Sequence, residues 1–164
     1  MKIYRILCSA LAAIICTVVV QAQTRVAVLP FQNMDGHIKY NIWSERLADS
    51  VNTLLASKDP SHQHFIIVSI DSVRALLKEM NLDPTHPEYA SDMWKAAQRL
   101  GATTVVTGNF NIQNGNLLVN AYVYDTATRL ANPTHQAKDL FKPEEQILVT
   151  VPVIVKRLLP ALTQ

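Results

Sequence analysis

Cysteine is scarce in this chain of 164 residues: Cys8 and Cys16 are the only two, and both precede Thr17. Beyond them no thiol can form a disulfide, act as a nucleophile or ligate a metal, so the core must rest on packing alone. Glycine is almost as sparse. The four glycines, Gly36, Gly101, Gly108 and Gly115, stand far apart at turn or cap positions, which leaves no glycine-rich loop to cradle a phosphate. An excess of one charge is missing too. The formal net charge is +2, and Lys2 and Arg5 account for all of it. Without those two residues the chain is neutral and has no basic field to hold nucleic acid.

What is present begins with a leader. Lys2 and Arg5 precede an apolar stretch from Ile6 to Val20, and Val20-Gln21-Ala22 is a small-residue exit of the kind a signal peptidase cuts. The expectation is a signal peptide over residues 1–22, cleaved between Ala22 and Gln23, and a single exported domain over residues 23–164. An uncleaved anchor is the alternative, although the apolar stretch falls short of the roughly 20 residues that span a bilayer. Lipidation at Cys8 or Cys16 is a third reading, disfavoured because Leu7 and Ile15 precede those cysteines where such sites want a small residue. No membrane span is expected in the mature form.

Arg25 to Phe31 reads as a strand buried on both faces, limited by Pro30. A helix follows, with Trp43, Leu47, Val51, Leu54 and Leu55 on one face. Phe65 to Val68 is a second buried strand, and Asp71-Ser72 can cap a short helix carrying Val73, Leu76, Leu77 and Met80. Asn81 to Glu88, with two prolines and no apolar period, is a loop. The next helix starts at Ser91, turns Met93, Trp94, Ala97 and Leu100 inward, and ends at Gly101. Thr103 to Ile112 and Leu117 to Asp125 are strands joined by Asn114-Gly115, the preferred two-residue hairpin signal. Leu130 to Lys138 is a further extended piece, in which Pro133 marks an edge strand or a bulge. The last segment has strand-like composition, yet Ile147, Val151, Ile154, Val155, Leu158 and Leu162 share a helical face. A helix kinked near Pro152 is expected. The resulting order, β-α-β-α-α-β-β-β-α, is that of one α/β (α+β) domain, a mixed sheet in a three-layer-like arrangement under helices.

Several of these pieces carry a resemblance: Val26-Ala-Val-Leu-Pro-Phe-Gln-Asn33, the helix from Trp43 to Leu55, Phe65-Ile-Ile-Val-Ser69 with Val73-Arg-Ala-Leu-Leu-Lys-Glu79, and Leu100-Gly-Ala-Thr-Thr-Val-Val-Thr-Gly108. In that order they resemble the bacterial envelope modules related to the TolB amino-terminal domain, FlgO and the CsgG/LpoB group. The resemblance implies a periplasmic or outer-membrane-associated accessory domain that binds other envelope proteins, needs no cofactor and has no catalytic activity. It also permits a homo-oligomer, including a ring-forming subunit of a secretion-type assembly.

The polar residues offer few rivals to that reading. His37, His62, His64, His86 and His135 are scattered over predicted loops, with His62-Gln63-His64 the closest pair and no His-Glu-x-x-His helix. Ser69, Asp71 and Ser72 stand together, but helix capping explains them better than a nucleophile, since no Gly-x-Ser-x-Gly elbow occurs. A small periplasmic hydrolase or ligand-binding enzyme would need His62, His64 and an acidic residue to converge in a concave pocket. On the second hairpin strand Tyr122 and Tyr124 share a face with Leu118 and Asn120, opposite Leu117, Val119, Ala121 and Val123. Those tyrosines either form an exposed interaction surface or pack beneath a helix.

Overall fold

The computed structural model describes residues 23–163, so the leader and Ala22 lie outside the described residues, and Gln23 is the first of them. Strand β1 (Thr24–Val28) is followed by a separate two-residue strand, β2 (Gln32–Asn33), where one strand to Phe31 was expected. Pro30 has no N–H to give a ladder, so pairing stops and resumes two residues later. Val26 to Phe31 is nevertheless buried throughout. Then come α1 (Ile42–Ala56), β3 (Phe65–Ile67), α2 (Ile70–Glu79), α3 (Tyr89–Arg99), β4 (Thr104–Gln113), β5 (Asn116–Asp125), β6 (Ala131–Pro143) and α4 (Val151–Leu158).

The strands form one mixed sheet in the order β3-β1-β4-β5-β6, with β2 also paired to β4. Pairs β1–β3, β1–β4 and β2–β4 are parallel, and β4–β5 and β5–β6 are antiparallel. This is the expected mixed-sheet α+β class. Alternation along β1 divides the core in two. Val26 and Val28 pack with Leu47, Val51, Ile154 and Leu158 of α1 and α4. Ala27 and Leu29 pack on the other side with Val73 and Leu77 of α2 and Trp94 and Ala97 of α3. The result is three layers, helices above and below the sheet.

Local chemistry sets the element ends. Ser69, two residues before the expected Asp71-Ser72 cap, accepts the Ser72 N–H at 3.2 Å and starts α2, while Asp71 lies in the first turn where a carboxylate suits the helix dipole. Helix α3 starts at Tyr89, two residues before Ser91. It stops as expected at Gly101: φ is +65°, and the N–H groups of Gly101 and Ala102 return to the carbonyls of Gln98 and Ala97. That closure needs the left-handed conformation glycine adopts without strain. In the hairpin, Asn114 and Gly115 both have positive φ and Gln113 pairs with Asn116, a two-residue type I′ turn as expected. Gly108 differs from the expectation. It lies inside β4, not at a turn.

β6 runs to Pro143, five residues beyond the expected end. Lys138 and Asp139 bulge opposite Asn120, whose side-chain oxygen accepts the Asp139 N–H at 3.0 Å. A second irregularity falls between Gln136 and Ala131 and holds Pro133, with the Asn132 carboxamide accepting the N–H groups of Thr134 and His135. Bulges of this kind blunt an edge strand against further pairing. The final segment is not one kinked helix. A 3₁₀ stretch over Glu144–Thr150 precedes α4, and Pro152 sits in the first turn of α4, where its missing N–H costs little. All six residues of the expected apolar face, Ile147 to Leu162, are buried.

Candidate functional site: the uncovered sheet face

Among the described residues, α2 and α3 pack on the side of β1 and β4 that carries Ala27 and Val105 and reach β5 at Tyr124, while on the same side Leu118, Asn120, Tyr122 and Gln136 are half-buried and Phe141 is exposed. Register places Asn111, Leu118 and Phe141 in one row across the open face, Asn109 and Asn120 in the next, and Thr107, Tyr122 and Gln136 in a third. Phe141 is 45% exposed, large for an aromatic side chain, and Leu118 is half-buried. The Asn120 carboxamide donates to Asn109 Oδ1 at 3.0 Å, so a neutral amide ladder crosses the middle of the face. Lys138 Nζ stands 5.7 Å from the centre of the Tyr122 ring.

Both tyrosines are half-buried. Tyr124 packs edge-on against Trp94 of α3, ring centres 5.4 Å apart, and burial pushes its phenol pKa up. Tyr122 lies at the border of the roof, 5.9 Å from Tyr124, with rings tilted by 54°. Between this pair and the first turn of α3 is a cavity of about 110 Å³, lined by Gln32, Tyr89, Met93, Thr107 and Asn109 among others. Tyr89 and Met93 had no place in the expected site. Their i, i+4 spacing, continued at Ala97, is the sequence signal that marks an inward face from Tyr89 onward.

The histidines stay apart. His37, His62, His64 and His86 are exposed, while His135 is half-buried on β6. His64 Nδ1 is 3.7 Å from Asp59 Oδ2. That carboxylate is already committed, accepting the N–H groups of His64 at 2.7 Å, Phe65 at 3.0 Å and Gln63 at 3.0 Å. It fastens the loop that leads into β3. Among the described residues no group of three or more His, Cys, Asp or Glu side chains could hold a metal ion. Ser69 and Ser72 hydroxyls lie 2.8 Å apart at the α2 cap.

The Asp59 geometry predicts a pH dependence. Hydrogen bonds from the backbone, that of His64 foremost, hold its pKa down to about 2 against burial. A carboxylate lowered below its unfolded value of about 3.9 contributes stability that is fully present above that value. The contribution is lost as pH falls from about 4 towards 2. Asp59→Asn should lower the denaturation midpoint near neutral pH and flatten its fall across that acid range, which chemical denaturation at a series of pH values will measure.

The α+β fold is shared with solved proteins. Lipoprotein GNA1162 from Neisseria meningitidis superposes with a TM-score of 0.53 at 13% identity, covering 85% of this chain and 99% of its own. LpoB from Escherichia coli gives 0.50 at 15% identity, covering 73% of this chain and 58% of its own. TolB from Acinetobacter baumannii is more distant in structure, at 0.47, with 21% identity over 86% of this chain and 28% of its own. The resemblance read from the sequence is thus a shared fold. No protein-family model and no curated protein matches the sequence. Among the described residues no helix is long and apolar enough to cross a membrane.

Proposed function

We propose that this chain is a non-enzymatic protein-interaction module of a bacterial envelope assembly, exported by a cleaved leader and working in the periplasm or at the outer membrane. The observation that carries the reading is the open β5–β6 face, where Phe141, Leu118 and Tyr122 sit on a rigid sheet beside neutral amides. Aromatic and aliphatic anchors among adaptable hydrogen-bonding groups make a protein-docking surface. The likeness to GNA1162 and LpoB supports the compartment. Self-assembly through the same face is the homo-oligomeric form of this reading.

A second apolar group competes for the role. Met34, Ile38 and Ile42, spaced by four residues, are 59%, 83% and 50% exposed. The test separates the two. A photo-crosslinking residue at position 141 in the exported chain should give one defined adduct in living cells. Leu118→Asp, with its fold confirmed by thermal melting, should weaken capture by about tenfold or more, as expected for a buried interface anchor. Ile38→Asp should leave capture unchanged. Loss of the adduct with Ile38→Asp but not with Leu118→Asp would place docking elsewhere and overturn the assignment.

A further inference from the structure

The outer side of the last segment carries a pattern that the fold itself does not use. Ile147, Ile154, Val155 and Leu158 turn inward. On the opposite side the 3₁₀ stretch and α4 leave Leu148, Val149 and Val153 41%, 59% and 38% exposed, with Pro152 exposed beside them. Exposed charges close both ends of this apolar run, Glu145 before it and Lys156 after it. Helix-dipole preference explains an acid at the start and a base at the end. It does not explain four apolar side chains left in water between them. Among the described residues Glu144 accepts from Trp43 and Arg157 donates to the Lys138 carbonyl, whereas the Glu145 and Lys156 side chains have no partner. Nor can these two meet within one chain. At about 2.0 Å per 3₁₀ residue and about 1.5 Å per α residue they stand about 19 Å apart, beyond the roughly 8 Å over which exposed charges act in physiological salt.

We infer that this face is a two-fold interface with a second copy of the chain, the two segments packed antiparallel. The segment is its own complement about a point between Thr150 and Val151: Glu145 lies as many residues before that point as Lys156 lies after it, Leu148 as Val153, and Val149 as Pro152. An isologous contact sets each member of such a pair against the other member in the second copy. Acid then meets base twice, and apolar meets apolar at the centre. The 3₁₀ half is the longer by about 3 Å, which the flexible four-carbon stem of lysine spans. Parallel packing would put Glu145 on Glu145 and Lys156 on Lys156, and like charges oppose it. An anionic lipid surface would suit Lys156 and repel Glu145. The contact is one helical face, well below a standard interface, so the dimer is weak, with a dissociation constant of about 100 µM. Helix α4 packs on the side of the sheet that carries Val26, Leu117 and Val119, and strand alternation puts Leu118 on the other. Self-association through α4 therefore leaves the docking face free and does not depend on it.

Sedimentation equilibrium of the mature chain from about 10 µM to about 1 mM should show monomer–dimer exchange that weakens several-fold between about 0.05 M and about 0.5 M salt. Glu145→Lys and Lys156→Glu should each raise the dissociation constant by about tenfold or more, since each sets like charges together at both ends of the interface. Both positions are exposed, so the variants should fold, and thermal melts check it. Mixed in equal amounts, the two variants should pair with each other about as tightly as the unaltered chain, because every contact again joins acid to base. The chain carrying both changes should recover in the same way. Val149→Asp should dissolve the dimer and Leu118→Asp should leave it intact. A chain that stays monomeric at about 1 mM, or single variants that do not regain association when mixed, overturns the inference. A dimer dissolved by Leu118→Asp and not by Val149→Asp overturns it in favour of self-association through the β5–β6 face. A photo-crosslinking residue in place of Val149 that captures a different protein in living cells, with no adduct of twice the chain's mass, gives the face to a foreign partner and likewise overturns it.

Discussion

Replacing Gly108 by alanine should destabilise the protein by about 3 kcal/mol or more and lower its melting temperature by about 10 °C. The reason is a close approach of backbones in the middle of the sheet. A Cβ at position 108 would lie 1.9 Å from the Asn120 carbonyl oxygen and 2.7 Å from Cε1 of Phe31. Neither neighbour can step aside cheaply. Asn120 is in β5, with the β4 ladder on one side and the Lys138-Asp139 bulge on the other, and Phe31 is fully buried. Glycine inside a strand commonly marks such a contact. Relief of the softer clash by Phe31→Leu in the Gly108→Ala background should recover less than half of the loss, because the tighter contact is with backbone. Denaturant unfolding of the single and double variants measures both quantities. A Gly108→Ala loss below about 1 kcal/mol would mean that β5 moves freely.

Gly108 also shows where sequence reading stops. Asn114-Gly115 declares a hairpin and Gly101 a helix end, because both work through their immediate neighbours. Gly108 is required by Asn120 and Phe31, which become its neighbours only once the sheet has formed. The core faces were legible for the same local reason: Val26 and Val28 against Ala27 and Leu29, and Ile147 to Leu162, follow from period alone. The site was legible in part. Tyr122 and Tyr124 share a face by strand alternation, but which of them meets α3 depends on how far that helix reaches, and the ring contact from Trp94 is to Tyr124. Tyr89 fell between the expected loop, which ends at Glu88, and the expected helix, which begins at Ser91, whereas the helix starts at residue 89 itself. Among the described residues only α2 and α3 pack on that side of the sheet, a property of topology that no window of residues contains.

Leu158→Ala should cost about 3 kcal/mol, the middle of the range for a fully buried leucine whose cavity cannot collapse. The effect is large because α4 is a helix by burial more than by preference. Its sequence, Val-Pro-Val-Ile-Val-Lys-Arg-Leu, is rich in β-branched residues, it has eight residues, and 3₁₀ stretches adjoin both ends. Packing of Ile154, Val155 and Leu158 against the α1 side of the core supplies what propensity does not. Trp43 of α1 donates from Nε1 to Glu144 at 3.0 Å just before this segment, and Arg157 donates to the Lys138 carbonyl at 3.1 Å within it. Two companions make the argument specific. Val153, 38% exposed, should become alanine with a gain of up to about 0.5 kcal/mol, since alanine is the better helix former. Pro152→Ala should change stability by less than about 1 kcal/mol, because Pro152 lies in the first turn of α4. Had it kinked the interior of a continuous helix, the same replacement would release about 3 kcal/mol. Thermal melts of the three variants therefore separate a packed, proline-started helix from a kinked one.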